Sequence, residues 1–240
     1  MSHHRVDLTP AYVLHTRPFR NTSLIVELFS QAHGRIAVVA NSARGLQSRF
    51  KGQLQLFTPL LVSWFGQREL KTLTHSELNG MPLQLNQTPL FCGFYLNELL
   101  IRLLHKEDPH PQLFELYHDT LICFEKCVSG SAKNNVAVIL RIFEKKLLTD
   151  LGYGLSLFRE AKTGSVVQPN SYYTFQPEQG VVLSADTVQN DRYLFLGRHL
   201  IAIGYEQFDD ELVLASAKRL MRLALSSLLG DTILNSRFLF

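Results

Sequence analysis

Short apolar runs separated by turn-forming residues dominate the first 80 residues of the chain. The runs are rich in β-branched and aromatic residues, and Gly, Pro, Asn and Arg separate them, a pattern typical of strands. Five short strands in so short a stretch favour a small closed barrel, because closure removes the exposed strand edges. The predicted strands are Tyr12–His15, Ser23–Ser30, Gly34–Ala40, Leu54–Phe65 and Glu69–Leu78.

The apolar period changes to a helical one after Asn79-Gly80-Met81-Pro82, which predicts a domain boundary there. We therefore expect an α+β protein with an N-terminal five-stranded barrel over residues 1–80 and a helical domain over 81–240. A small, irregular β-containing subdomain is expected within the helical domain, over about 155–195. The predicted helices run from an N-cap at Thr88 to about Asp108, and over Gln112–Val128, Asn135–Leu151 and Glu211–Leu229; the predicted short strands are Tyr172–Gln176 and Gly180–Leu183.

The composition is that of a globular protein, with 46% hydrophobic and 19% charged residues. No apolar run reaches the roughly 18 residues of a membrane span, and the first residues lack the apolar core of a secretory signal. Three cysteines, Cys92, Cys123 and Cys127, are an odd number, unlike a secreted disulfide framework. We expect a cytoplasmic protein without membrane contact.

Positive charge is concentrated in the first part of the chain. Residues 1–80 hold nine Lys/Arg against four acids, whereas residues 81–240 hold fifteen against seventeen. The formal charges are therefore +5 and −2, an asymmetry that favours a polyanionic partner for the barrel.

The most informative polar segment, residues 42–52, lies between the third and fourth predicted strands. It holds Arg44, Arg49 and Lys51 and no acid, and such cations bind phosphates. Phe50 either stacks on a base or belongs to the barrel core. Further cations at strand ends either join this loop in one groove or solvate their own strands: Arg17, Arg20, Arg35, Arg68 and Lys71.

Enzyme alternatives find little support in the sequence. Glu69-Leu70-Lys71 is similar to half of a metal-dependent nuclease site, but a further carboxylate with the right strand context is missing. The chain has no Gly-x-Ser-x-Gly elbow and no phosphate-binding Walker loop. We predict no catalytic site and no cofactor. The alternatives left open are a protein-binding adaptor without DNA contact and, more weakly, the nuclease.

An ordered series of short motifs resembles the bacterial RecO family over nearly the whole chain. No single motif is highly specific, but their order is. The matching segments are Ala11–Phe19, Thr22–Ile25, Gly34–Arg35, Ala43–Arg44, Leu54–Leu60, Gly66–Leu73, Tyr95–Leu99, Leu140–Glu144, Leu151–Gly154 and Ser236–Arg237.

The resemblance implies an oligonucleotide-binding (OB) barrel and a helical domain that act in recombinational DNA repair. It implies binding to single- and double-stranded DNA, annealing of complementary strands and an association with the nucleoid. It also implies docking on the acidic C-terminal tail of the single-strand binding protein (SSB), RecR as co-mediator, and help in loading RecA. DNA contacts are expected from Arg17, Arg35, Arg44, Arg49, Lys51, Arg68 and Lys71.

The third predicted helix offers apolar surface and cations together, the combination needed to bind an acidic tail that ends in a Phe carboxylate. Arg141 and Lys145 are four residues apart and so share one helix face, and Arg can grip a carboxylate with two hydrogen bonds. The alternative is ordinary core beside solvated cations. The expected tail-binding residues are Arg141, Phe143, Lys145 and Lys146.

Two departures from the family pattern matter. Asn41-Ser42 stands where the family often has Lys-Gly, which removes one expected phosphate contact but leaves Arg44. Some members hold zinc with four cysteines in the subdomain, whereas residues 155–195 of this chain contain no cysteine.

We therefore expect the purified protein to contain no stoichiometric zinc, since the usual thiolate ligands are missing. Elemental analysis of protein purified without chelator checks this. About one zinc per chain would contradict it.

Overall fold

The computed structural model describes residues 5–45, 47–127, 132–185, 193–230 and 232–236. The chain divides into two compact units, one of Met1–Val128 with Leu234–Phe240 and the other of Ser129–Ile233. Among the helices described, none is long and apolar enough to cross a membrane.

A closed five-stranded barrel forms the core of the first unit, as predicted. The strands follow the order β1-β2-β3-β5-β4 around the barrel, and β4 pairs with β1 to close it. The β3–β5 pair is parallel and the other pairs are antiparallel. The strands are β1 (Arg5–Phe19), β2 (Ser23–Ser30), β3 (Gly34–Ala40), β4 (Leu60–Phe65) and β5 (Leu70–Leu78).

The first strand is much longer than predicted because it serves two neighbours. Residues 5–11 pair with β4, and residues 11–19 pair with β2. The register on β2 shifts between Val13 and His15, so that Leu14 bulges out of the ladder. Pro10 and Pro18 lie within this strand. Because proline is typical of strand ends and turns, the predicted strand between them was too short.

The fourth strand begins at Leu60 and not at Leu54. The described residues between β3 and β4, 41–45 and 47–59, lie mostly in turns, and Leu54 and Leu56 pack against the barrel core from outside the strands. Leu54 and Leu56 are therefore apolar because they pack on the barrel core, and not because they belong to a strand. Phe50 belongs to the same core and is only 3% exposed, so the open alternative for this ring is settled in favour of packing.

Two helices pack on the outer face of β1 and β2. They are α1 (Gln87–Leu103) and α2 (Pro111–Lys126). The rings of Tyr12 and Phe29 on the barrel meet Phe114 and Tyr117 on α2, with centroids between 5.2 and 6.1 Å apart. Such aromatic pairs stabilise the fold by more than the burial of their apolar area alone.

A buried amide fixes α1 to the barrel. Asn97 donates from Nδ2 to the Leu14 carbonyl at 3.0 Å, and its Oδ1 accepts from the Tyr117 hydroxyl at 2.6 Å. The side chain thereby satisfies the carbonyl that the bulge removes from the strand ladder. Burial raises the pKa of the Tyr117 hydroxyl, which keeps it a donor.

Both ends of α1 differ from the prediction. The helix begins at Gln87 after Asn86, so Thr88 is not the N-cap, and it ends at Leu103 instead of near Asp108. The following residues instead cross to the barrel, where the amide of Glu107 donates to the Arg35 carbonyl.

Gly34 is required at this crossing. A Cβ there would lie 1.8 Å from the Asp108 carbonyl oxygen, and its φ is +65°.

The second unit combines helices with a small three-stranded sheet of order β7-β6-β8. β6, β7 and α5 have the predicted bounds, and the Asp210 side chain caps α5 by accepting from the Leu212 amide. β8 and α4 were not predicted because both are short. The elements are α3 (Ala132–Asp150), β6 (Tyr172–Gln176), β7 (Gly180–Leu183), β8 (Leu194–Leu196), α4 (Gly197–Gly204) and α5 (Glu211–Leu229).

A buried carboxylate, that of Glu160, lies in the small subdomain of this unit. Glu160 accepts hydrogen bonds from the amides of Lys162 and Thr163 and from the Thr163 hydroxyl. The hydroxyl contact is the main reason why the pKa of this carboxyl is lowered. Across the described ranges, no group of three or more His, Cys, Asp or Glu could hold a metal ion.

The role of Asn97 predicts a large loss of stability for Asn97→Ala. The change leaves the Leu14 carbonyl and the Tyr117 hydroxyl buried without their partner, which costs about 2–4 kcal/mol with the cavity included. Urea unfolding measures it as a lower midpoint at constant slope. Asn86→Ala is the matched control, since Asn86 is exposed and its side chain does not cap α1, and it should change stability by about 0.5 kcal/mol or less. Equal losses for the two variants would contradict the role of Asn97.

Candidate nucleic-acid interface

Two connections lie at one end of the barrel: the turn between β1 and β2, and the long segment 41–59 between β3 and β4. This follows from the strand directions, since β1 and β3 run toward this end and β2 begins there. The two connections also bond to each other: the amide of Arg44 donates to the Thr22 carbonyl at 2.8 Å, and the amide of Ser42 donates to the Ser23 hydroxyl. The predicted basic loop is therefore held against the first turn of the barrel.

Arg44 makes the closest contacts between the two connections. Its Nη2 donates to the carbonyls of Arg20 and Asn21 at 2.8 and 2.7 Å, and its Nε donates to the Ser23 carbonyl at 3.3 Å. The side chain remains exposed. Guanidinium has five donors, so Arg44 holds the turn in place and still presents a full positive charge to solvent.

Four further exposed cations lie at this barrel end. Arg20 is in the β1–β2 turn with its guanidinium 5.1 Å from the Phe19 ring, and Arg49 lies 4.8 Å from the Phe50 ring. The sequence pattern indicates only that Arg20 is a cation at a strand end. Its contact with Arg44, 24 residues away, arises from the fold. We call the set Arg17, Arg20, Arg44, Arg49 and Lys51 the basic rim.

Negative charge is almost absent from the segment that builds the rim. Residues 8–68 contain seven Lys/Arg and a single acid, Glu27, which gives a formal charge of +6. One Glu27 oxygen is buried and has no hydrogen-bond partner among the described residues. A cluster of cations with so little compensation attracts polyanions over several ångströms.

Two of the predicted DNA contacts are engaged within the protein. Lys71 is 5% exposed, and its Nζ donates to Glu107 at 2.5 Å and to the Arg68 carbonyl. Arg35 is half-buried and donates to the Ile101 carbonyl at 2.6 Å. We therefore leave both residues out of the proposed contact surface, since their positive groups join the barrel to residues 101–107.

The structure does not bring Arg68 to the rim. It is exposed in the turn between β4 and β5, at the opposite barrel end, because Phe65 pairs with Arg5 at the start of β1. The nearby Glu69 pairs with Lys106, and this contact lowers the pKa of the Glu69 carboxyl. With Lys71 also paired, the Glu-x-Lys half-site of a nuclease is fully occupied by internal ion pairs.

The predicted tail-binding residues on α3 are mostly buried. Phe143 is in the core, and Arg141 pairs with the buried Glu144 at 3.0 Å. Lys145 donates to the carbonyls of Ile203 and Gly204 and to Glu206, and so caps the end of α4. Lys146 is exposed.

A five-stranded barrel of this kind is OB-like, and folds of this class bind oligonucleotides or oligosaccharides. Residues 1–81 match the family model described as "Recombination protein O N terminal", and residues 88–237 match "Recombination protein O C terminal". The chain belongs to the RecO family of recombination proteins.

Curated relatives agree over almost their full length. A protein named "DNA repair protein RecO" from Coxiella burnetii is 48% identical over 97% of both chains. Proteins of the same name from Haemophilus influenzae and Pasteurella multocida are each 43% identical, over 98% and 95% of this chain and 95% and 92% of their own. Family membership places the chain among the proteins of DNA repair.

The Lys71–Glu107 pair should matter for stability. In Glu107→Ala the buried ammonium loses its carboxylate, and we expect a loss of about 1–3 kcal/mol, because Glu107 itself is half-exposed. Glu69→Ala, which removes the exposed partner of Lys106, is the matched control and should cost much less. Thermal or urea unfolding measures both. A Glu107→Ala protein as stable as the control would contradict the structural role of Lys71.

Proposed function

We propose that the protein is a DNA-binding recombination mediator that contacts DNA through the basic rim and anneals complementary single strands. The observation that supports this most directly is the joining of two basic connections at one barrel end, with Arg44 as the link. The rim consists of exposed cations, and such cations bind the phosphate backbone of any sequence.

Annealing requires two strands to approach while their bases stay free to pair. The rim suits this task, since its cations neutralise phosphates and the one aromatic ring of the loop, Phe50, is buried in the core. Bases held by stacking would be less available to a second strand. We propose that rim-bound strands keep their base edges exposed.

The same proposal includes partners. As a RecO family member, the protein would act on DNA coated by SSB, with RecR as co-mediator, and help to load RecA. Lys146 is the exposed member of the α3 set and remains available to an acidic tail. Arg141 and Phe143 would have to leave buried positions to contact one, so we no longer place the tail on them.

An adaptor that binds only proteins is the competing function. An adaptor would bind DNA weakly, and substitutions in the rim would not change how its DNA affinity depends on salt concentration. A salt titration of DNA affinity therefore decides between the two.

We expect Arg49→Gln combined with Lys51→Gln to weaken single-stranded DNA binding. Each lost phosphate contact should flatten the slope of log affinity against log salt by roughly 0.7, and by up to about 0.9 on duplex DNA. The annealing rate of complementary oligonucleotides should fall in parallel. Fluorescence anisotropy over a salt series and a quenched-fluorophore annealing assay give the two readouts.

Lys126→Gln is the control, because it removes an exposed cation at the end of α2 that does not belong to the rim. It should leave the slope unchanged. An unchanged slope in the rim variant, or an equal change in the control, would refute the rim as the DNA contact.

A further inference from the structure

Two cysteines, Cys123 and Cys127, lie one helical turn apart at the C-terminal end of α2. Residues at this spacing share one face of a helix, with their Cβ atoms about 5–6 Å apart. Cys127 is the C-cap: its φ of −72° is still helical, whereas its ψ of 99° turns the chain out of the helix. Its amide donates to the Phe124 carbonyl at 3.2 Å. Local helical geometry therefore brings the two thiols together.

Both thiols of this pair are accessible to solvent, in contrast to the third cysteine of the chain. Cys92 is 2% exposed and belongs to the core, which is the usual environment of cysteine in a globular protein. Cys123 is exposed, Cys127 is half-buried, and neither forms a disulfide. Core packing explains Cys92, but it does not explain two accessible thiols on one helix face.

The two thiols are close enough for one to affect the ionisation of the other. Burial raises the pKa of the Cys127 thiol, and the neighbouring Cys123 raises it further, because two thiolates would repel each other. A thiol that keeps its proton is a poor nucleophile. A soft cation has the opposite effect on the pair, since it displaces the protons and is shared by both sulfurs.

The spacing of the pair fits a bridging ion better than a direct disulfide. A disulfide needs Cβ atoms about 3.5–4.5 Å apart, so the end of the helix would have to unwind to form one. An ion between the sulfurs adds two metal–sulfur bonds of about 2.3 Å each, if they are as long as those of zinc. Such a bridge spans the pair without a change in the helix.

The number of ligands selects the kind of cation. Structural zinc takes four ligands, whereas no group of three or more His, Cys, Asp or Glu in the described part of the chain could hold a metal ion. Thiolates select soft cations such as Cu(I), which two sulfurs can hold in a linear arrangement.

We propose that Cys123 and Cys127 form a two-coordinate site for Cu(I). Binding forms two copper–sulfur bonds and releases both thiol protons to solvent. Copper stays in the +1 state, so the step needs no oxidant or reductant. The boundary between the two compact units falls between Val128 and Ser129. A Cu(I) bridge therefore restrains the end of α2 directly before the chain passes into the second unit.

The test is an anaerobic titration of the reduced, full-length protein with Cu(I), in competition with the chelator bicinchoninate. We expect the protein to retain about one Cu(I) per chain. Cys123→Ser and Cys127→Ser should each lower the affinity for Cu(I) at least about tenfold, because the second sulfur of the pair acts at a high effective concentration. Cys92→Ala removes the buried cysteine and is the matched control. It should retain Cu(I) like the unmodified protein, with circular dichroism as the check that each variant is folded.

Alkylation gives a second readout that identifies the ligands directly. In the folded protein without copper, iodoacetamide should modify Cys123 and, more slowly, the half-buried Cys127. With one Cu(I) bound, it should modify neither, because both sulfurs are engaged. Mass spectrometry of the digested protein locates the modified residues.

The proposal is overturned if the protein retains no Cu(I) against the chelator, or if either serine variant retains as much as the unmodified protein. Equal loss in a folded Cys92→Ala protein would also overturn it, as would unchanged alkylation of the pair in the presence of Cu(I). Half a copper per chain in a protein dimer would show a site shared between two chains and would contradict the intrahelical bridge. The site shares no residue with the basic rim, so its failure would leave the proposed DNA contact unaffected.

Discussion

The first strand of the barrel must pair with two different neighbours, and most of the first unit depends on how it does so. A strand of fifteen residues cannot stay flat while it pairs with β4 along one half and with β2 along the other. The bulge at Leu14 provides the bend, but it also takes a backbone carbonyl out of the ladder. Asn97 satisfies that carbonyl from α1 and at the same time accepts from Tyr117 on α2. One amide thus ties the barrel closure to the placement of both helices.

Several residues of the short family motifs also make contacts between separate segments of the first unit. Gly34 allows Asp108 to approach the barrel, and Arg35 next to it bonds to the end of α1. Glu98, which follows Asn97, accepts from the Asn235 and Ser236 amides and the Ser236 hydroxyl, and so fixes the C-terminal segment to α1. Gly34, Arg35 and Glu98 therefore serve the architecture, whereas the cations of the rim are exposed to solvent.

The basic rim combines cations from two separate segments of the barrel. Hydrogen bonds from the backbone and side chain of Arg44 join the segment after β3 to the β1–β2 turn. The fold, and not the spacing of these cations along the chain, therefore brings them to one end of the barrel.

The sequence by itself determined the fold class, the family and the order of the longer elements, but not the short β8 and α4. Its apolar periods separate barrel from helices, and local caps such as Asp210 set the bounds of α5 because these signals act over a few residues. The tertiary structure decided which cations are available. Arg35, Lys71 and Arg141 look like surface cations in the sequence, yet each has its charged group engaged by a residue that the fold or the helix brings to it. Arg20 and Arg44 meet because β2 pairs with both β1 and β3, which places the β1–β2 turn beside the segment that follows β3. Burial, and the pairing of Arg35 and Lys71, depend on contacts between distant segments, and a local pattern cannot specify them.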